Sequence, residues 1–323
     1  MPPITGIPPE ILRDRHRLSS QQVNALFGRK VIEESLEEKA KALGKVAEFL
    51  KVTDALKEAG VSFVPLKGPL LSFRLNGDAT YRYFRDLDIL VDASAVTEAK
   101  EIIDSFGYQD CGPAWPSDRK MQHRTLTYSH HLALINPVNG QIIELHWRLM
   151  NTQWLNFRQT DNLIGNNITT ADFAGRKFSV LNNELELLYL VIHGGLHRWG
   201  RLKWLADVHE YLKSQKINWE IFNEFSDSLK AGRLVALCNT MLAEFFPGGP
   251  LIPCSSSASK HMVGASFKTI AEDDYSGPET IREIMKNLPF GLAVYPGVSF
   301  KVRLLCGVVG NSIFHGRMSR LFQ

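Results

Sequence analysis

The sequence predicts an α/β (α+β) chain in which a short sheet is preceded by helices and followed by a helical half. Three observations predict it. Before residue 60, Ile32, Leu36, Ala40, Leu43, Val46 and Leu50 recur at three- and four-residue steps, the period of a helix with one apolar face. Between residues 61 and 147, short apolar or alternating runs are bounded by Gly, Pro and Asn, as strands are. Beyond residue 180 the helical period returns. These changes divide the chain into an N-terminal helical segment at 1–60, a core at 61–175 and a C-terminal helical domain at 176–323.

Taken in order, residues 8–59 read as helix, with Pro8 and Pro9 suited to a first turn and Gly60 as the stop. Val61 to Leu66 alternates and runs into Lys67-Gly68-Pro69, and a short helix then ends near Asn76-Gly77, giving strand, tight turn and helix. Asp86 to Asp92 reads as a second strand and 95–106 as a helix stopped by Gly107. Residues 112–120 read as a loop, and Thr125 to Ile135 as a strand joined to Gln141–Trp147 by an Asn136–Gly140 turn. Asn182 or Asn183 caps a helix to about His197, followed by helices near 202–213, 219–230 and 233–245. Residues 247–260 form a linker-like stretch. The tail from Gly297 carries Lys301, Arg303, Arg317 and Arg320 without an acid, which suits a packed helix with basic end residues or a surface-docking segment.

Composition narrows the function classes. With 37 Lys+Arg against 34 Asp+Glu the net charge is +3, too small an excess to favour a nucleic-acid partner. The four cysteines, Cys111, Cys238, Cys254 and Cys306, have no CxxC spacing, so neither a disulfide framework nor a thiolate zinc site is expected. No apolar run reaches membrane-spanning length and the N-terminus lacks a signal-like apolar stretch, so a cytoplasmic protein is expected.

The strongest chemical signal is Asp86-Leu87-Asp88 within an apolar strand. A two-residue period puts both carboxylates on one face and Leu87 and Ile89 on the other. Two such charges repel unless neutralised, and a divalent cation with hard oxygen ligands is the usual partner. Glu144 stands alone in the apolar run Ile142–Leu145; if the two strands are neighbours, three carboxylates converge and could hold two metal ions. Taken singly, Asp86 paired with Arg85 or Glu144 on an edge strand would be structural. Upstream, Lys67-Gly68 joins a strand to a helix, where backbone N–H groups meet phosphate oxygens and Gly68 permits close approach. Arg82 or Arg85 could add a second cation.

The histidines add candidates facing substrate. His193 and His197 are four apart on a helix, a spacing zinc can use, but no HExxH pattern accompanies them and a substrate-facing or structural pair is favoured. Arg201, Trp204 and Asp207 continue that face, either closing over a ligand or packing with Asp207 paired to Arg201. His130-His131 borders the sheet, and His146 shares the strand face of Glu144 while Trp147 points to the core.

These segments resemble a known group. LKGPLL at 66–71, YRYFRDLDILVD at 81–92, IIELHWRL at 142–149 and HGGLHRWGRLKWLADVHEYL at 193–212 are similar to the uncharacterised nucleotidyltransferase family of the DNA polymerase beta-like superfamily, over roughly residues 35–215. The resemblance implies a polymerase beta-like core, with Asp86, Asp88 and Glu144 as metal ligands and catalytic residues, and Lys67, Gly68 and Arg82 on the nucleotide. It also implies Mg2+ or Mn2+ and a nucleoside triphosphate, ATP first. The acceptor would be a hydroxyl or phosphate of a small molecule, sugar or peptide, in a biosynthetic setting. Two departures stand out: Lys-Gly replaces the superfamily's commoner Gly-Ser, and the stretch from Gly68 to Asp86 is long. Attack at the γ- rather than the α-phosphorus, or nucleotide binding without transfer, are the competing expectations.

Overall fold

The computed structural model describes residues 2–150, 162–272, 281–294, 297–298 and 301–302. Its start is three helices rather than one run: α1 (Pro9–Asp14), α2 (Ser20–Phe27) and α3 (Leu36–Glu58). The breaks have local causes. Arg17 adopts a left-handed φ of 61°, and Ser19 with Gln22 forms a reciprocal capping box that begins α2. Gly28, at φ 62°, ends α2, and the Ser35 side chain accepts from Glu38 N–H to begin α3.

The sheet region then runs β1 (Phe63–Pro65), α4 (Gly68–Asn76), β2 (Asp86–Val91), α5 (Val96–Asp104), β3 (Gln109–Asp110), α6 (Arg119–Tyr128), β4 (His131–Ile135) and β5 (Ile142–His146). Strand order is β1-β2-β5-β4-β3, with β2 and β5 parallel and the other neighbours antiparallel. A separate hairpin, β6 (Ile168–Phe173) and β7 (Arg176–Leu181), lies against β1, where Phe178 meets Phe63, and both Phe173 and Phe178 meet Phe49 of α3.

The expected strand from Thr125 is corrected to a helix followed by a shorter strand. Asp118 accepts from Met121 N–H and starts α6, while the Thr125 and Thr127 hydroxyls bond back to the carbonyls of Met121 and His123. No residue of α6 is buried, so the Thr-Leu-Thr-Tyr alternation marks no sheet face.

The second half is helical: α7 (Asn183–Leu196), α8 (Leu202–Ser214), α9 (Trp219–Ser228), α10 (Gly232–Phe245), α11 (Lys260–Ala271) and α12 (Ile281–Val294). Asn182 caps α7 by accepting from Leu185 N–H. At its other end, Arg198 and Trp199 both take positive φ, and Trp199 folds back onto the helix. A Cβ at position 194 would stand 2.1 Å from the Trp199 ring, so that packing requires Gly194. No helix among the described residues is long and apolar enough to cross a membrane. The basic tail from Gly297 lies almost wholly outside the described residues.

Two apolar clusters hold these layers. Leu87, Ile89, Val91, Ile143 and Leu145 face α3 and α5 with Phe49, Val52, Val96 and Ile103. The other cluster joins α7 to α11 with Leu12, Leu18 and Val23 of the N-terminal helices. The polar face of β2 and β5 lies opposite the first cluster and looks toward the helical half.

Candidate active site

The pleat places the carboxylates. β2 and β5 pair in parallel with Asp88 opposite Glu144 and Leu90 opposite His146, so Asp86, Asp88, Glu144 and His146 share one face. Across β4, His131 pairs with His146 and extends that face. The cleft above it, of about 560 Å³, is closed on the far side by Tyr189, His193, His197, Arg201, Lys203 and Trp204, from α7, α8 and the turn between them. Its size suits a small-molecule ligand.

Asp88 is the hub. One oxygen lies 3.4 Å from Lys67 Nζ and the other 3.3 Å from His146 Nε2. The same His146 nitrogen is 3.3 Å from Glu144 Oε2, so one imidazole bridges both carboxylates. Burial opposes its charge, but these bonds raise the His146 pKa to about 9. Burial also opposes the Asp88 charge, yet Lys67 and His146 hold its carboxyl well below the usual range. Glu144 is likewise disfavoured by burial and held low by His146. Asp86 behaves oppositely: burial and the adjacent Asp88 push its carboxyl up, and Lys203 opposes them.

Asp88, Glu144 and His146 each offer an atom within 4.8 Å of the others, a group that could hold a metal ion. Asp86 stands one pleat period away, half-buried, with Arg85 Nη2 3.6 Å from its carboxylate. All three carboxylates expected from the sequence line the same cleft, Asp88 and Glu144 beside His146 and Asp86 next to them on the strand face.

Lys67 precedes Gly68, whose φ of 70° turns the chain into α4. Its ammonium is buried among Asp88, the ring of Tyr189 at 5.4 Å and His193 Nε2 at 3.3 Å. Burial works against that charge, but Asp88 and its neighbours more than compensate and the pKa rises. Burial and then Lys67 hold His193 neutral, and they lower His197 to about 4. The two rings lie 4.7 Å apart, with Trp204 packed against both.

Arg82 borders the cleft, but its fork is turned to α8: Nε and Nη2 donate to the two oxygens of Asp207 at 2.5 and 2.6 Å, both side chains being buried. Asp207 is therefore engaged by Arg82, where the sequence left open a ligand-facing role or a pairing with Arg201. Arg201 is the residue preceding α8 and lines the cleft. Arg85 is largely exposed.

Sequence reasoning missed Lys203. It is buried on the cleft wall, its ammonium 5.5 Å from the Tyr83 ring, with no carboxylate within ion-pair distance among the described residues. Burial, and then Arg82, lower its pKa to about 8. The available signal was its place four residues before Asp207, on the same helical face.

No curated protein matches the chain. The solution structure of the antibiotic-resistance factor ANT(2'')-Ia is similar over 58% of this chain and 92% of that chain, at 11% identity and a TM-score of 0.42. The sequence profile of a family described as uncharacterised nucleotidyltransferase matches residues 15–247, a span that includes Lys67, Asp86, Asp88, Glu144 and Asp207, and the chain belongs to that family.

Proposed function

We propose that this protein transfers a nucleoside monophosphate from a triphosphate, ATP first, to a hydroxyl or phosphate of a small molecule, sugar or peptide. The observation that carries the reading is the register of Asp88 with Glu144 on parallel neighbours, with Asp86 on the same face and Lys67-Gly68 at its edge. Asp86, Asp88 and Glu144 supply the hard oxygen ligands that magnesium takes, and their mutual repulsion gives the site its need for a cation. When bound there, the metal neutralises phosphate charge and makes an acceptor hydroxyl more acidic.

The protein's own groups do the rest. The α4 N-terminus, opened by Gly68, offers backbone N–H groups to phosphate oxygens, although Pro69 contributes none. Lys203 and Lys67 place ammonium groups on the same cleft, where low polarity strengthens their hold on phosphate. Glu144, kept ionised, accepts the proton of the acceptor hydroxyl. The acceptor oxygen then bonds to the α-phosphorus as the bond to the β-phosphate oxygen breaks, and pyrophosphate leaves. Trp204 and Tyr189 form the apolar wall that excludes water.

The test is incubation with magnesium and each of the four triphosphates, read by mass spectrometry of protein and candidate acceptors. A one-nucleotide increment with pyrophosphate is expected, abolished in Asp88→Asn with the fold intact by circular dichroism. Phosphorylated product with ADP would replace this reading by γ-phosphoryl transfer, and activity retained in Asp86→Asn/Asp88→Asn would end it.

A further inference from the structure

Three imidazoles crowd the inner end of the cleft. His131 is the cross-strand partner of His146, and His130 immediately precedes β4. Ring centroids are 4.3 Å apart for His130 and His131, 5.0 Å for His131 and His146, and 5.7 Å for His130 and His146. His130 Nε2 and His131 Nδ1 are 3.0 Å apart, and one nitrogen from each of the three rings lies within 4.8 Å of one from both others.

Hydrogen bonding leaves this cluster incomplete. A neutral imidazole has one donor and one acceptor. His146 Nε2 serves Asp88 and Glu144, which only an N–H can do, so Nδ1 is the nitrogen left for a cation, which displaces the proton that the charged ring carries there at neutral pH. That Nδ1 is buried and has no hydrogen-bond partner, and the same holds for Nδ1 of His130. A carboxylate that fixes one imidazole nitrogen while the other is offered to a cation is the arrangement by which metal-ligating histidines are oriented. The 3.0 Å between His130 Nε2 and His131 Nδ1 also fits two metal–nitrogen bonds of about 2.1 Å to one ion.

We propose that His130, His131 and His146 form a site for a first-row transition cation, Zn2+, beside the oxygen-lined magnesium position. Imidazole donors select Zn2+, and its spectroscopic stand-in Co2+, over Mg2+, whose preference is for oxygen. Asp88 and Glu144 act in it by orienting His146. The site stands on the histidine geometry and does not require that the protein transfer nucleotides.

The experiment uses the full chain, stripped with a chelator, titrated with Co2+ without nucleotide and followed by visible absorption. Saturable d–d bands at one equivalent are expected, removed by Zn2+ and untouched by millimolar Mg2+. His131→Ala should weaken binding at least about 100-fold, and His130→Gln should do so with smaller change in packing; circular dichroism and melting temperature check that each variant folds. Bands that both folded variants keep, or Co2+ binding that Mg2+ abolishes, would overturn the site. Nucleotidyl transfer without such bands would overturn it alone, and bands without transfer would leave it standing while removing the proposed reaction.

Discussion

Lys67 and Lys203 are both buried on one cleft, yet their surroundings assign them different parts. Lys67 lies 3.4 Å from Asp88, so removing it strands a buried carboxylate that keeps only His146. Lys203 faces an aromatic ring, with Arg82 and Lys67 opposing its charge and Asp86 and Asp207 supporting it. A buried ammonium with so little compensation costs stability until an anion arrives. Lys203→Met should therefore raise the melting temperature or leave it unchanged, while raising the KM for triphosphate roughly tenfold, a loss of about 1.4 kcal/mol. Because its pKa is near 8, wild-type KM should climb between pH 7 and 9 as the ammonium loses its proton, and the variant's should stay flat over that window. Steady-state kinetics across pH reads both; equal KM in the two proteins would remove Lys203 from the phosphate site. The same contrast shows what sequence could and could not convey. Asp86, Asp88 and Glu144 announced themselves because a charge in an apolar strand is conspicuous at period two. Lys203, among the polar residues of an amphipathic helix, looked like any solvated lysine.

At the scale of elements, one buried and one partly buried ion pair fasten the sheet region to the helical half. Arg82, in the segment leading to β2, grips Asp207 of α8 with both arms. Arg74 of α4 donates to Glu186 of α7 at 2.5 Å, and Tyr211 of α8 donates to the same oxygen at 2.7 Å. Cutting the first pair leaves a guanidinium buried without its partner, a cost of about 3–5 kcal/mol. Asp207→Ala should show that loss in urea unfolding, and Arg82→Lys should recover little because an ammonium cannot reproduce the planar fork. A change below about 1 kcal/mol would mean that water reaches the pair. These fastenings were not legible in sequence, since Arg82 and Asp207 are 125 residues apart and the nearer Arg201 looked the natural partner. The β4–β5 hairpin and the β2 strand were legible, because turn chemistry and burial act within ten residues. The α6 helix was not, because its Thr-rich alternation imitates a strand and only Asp118 marks its start. The β6–β7 hairpin also escaped, its outer face being polar and its partner, β1, lying a hundred residues earlier.

Across the whole molecule, burial of neutral imidazoles sets the response to acid. His16 and His209 lie outside the cleft cluster, and burial lowers both to about 4. Above pH 6.5 neither folded nor unfolded forms are charged, so these groups cost nothing. Between 6.5 and 4 the unfolded chain takes up protons that the folded protein refuses, and stability falls as pH falls. The buried His16 contributes on the order of 2 kcal/mol by pH 4.5, and the half-buried His209, which solvent screens, less. Glu210 works against this trend: burial and Asp207 raise its carboxyl to about 7, so its contribution is greatest in acid and is lost as pH rises from 4.5 through 7. His130, His131, His193 and His197 are also lowered and add to the side of the histidines, while burial raises Asp86 and Glu186, which stand with Glu210; the histidines are the more numerous, so the balance favours loss in acid. The melting temperature should therefore drop steadily from pH 7 to 5 in metal-free protein. His209→Phe isolates one share of that drop, because the ring it replaces is stacked on Phe246 at 4.2 Å and an aromatic substitute keeps the stack while removing the titration. Calorimetry of wild type and variant over this range should give a shallower slope for the variant and convergence of the two curves above pH 7. A melting temperature that rises on acidification would show that the buried carboxyls, Glu210 foremost, outweigh the histidines.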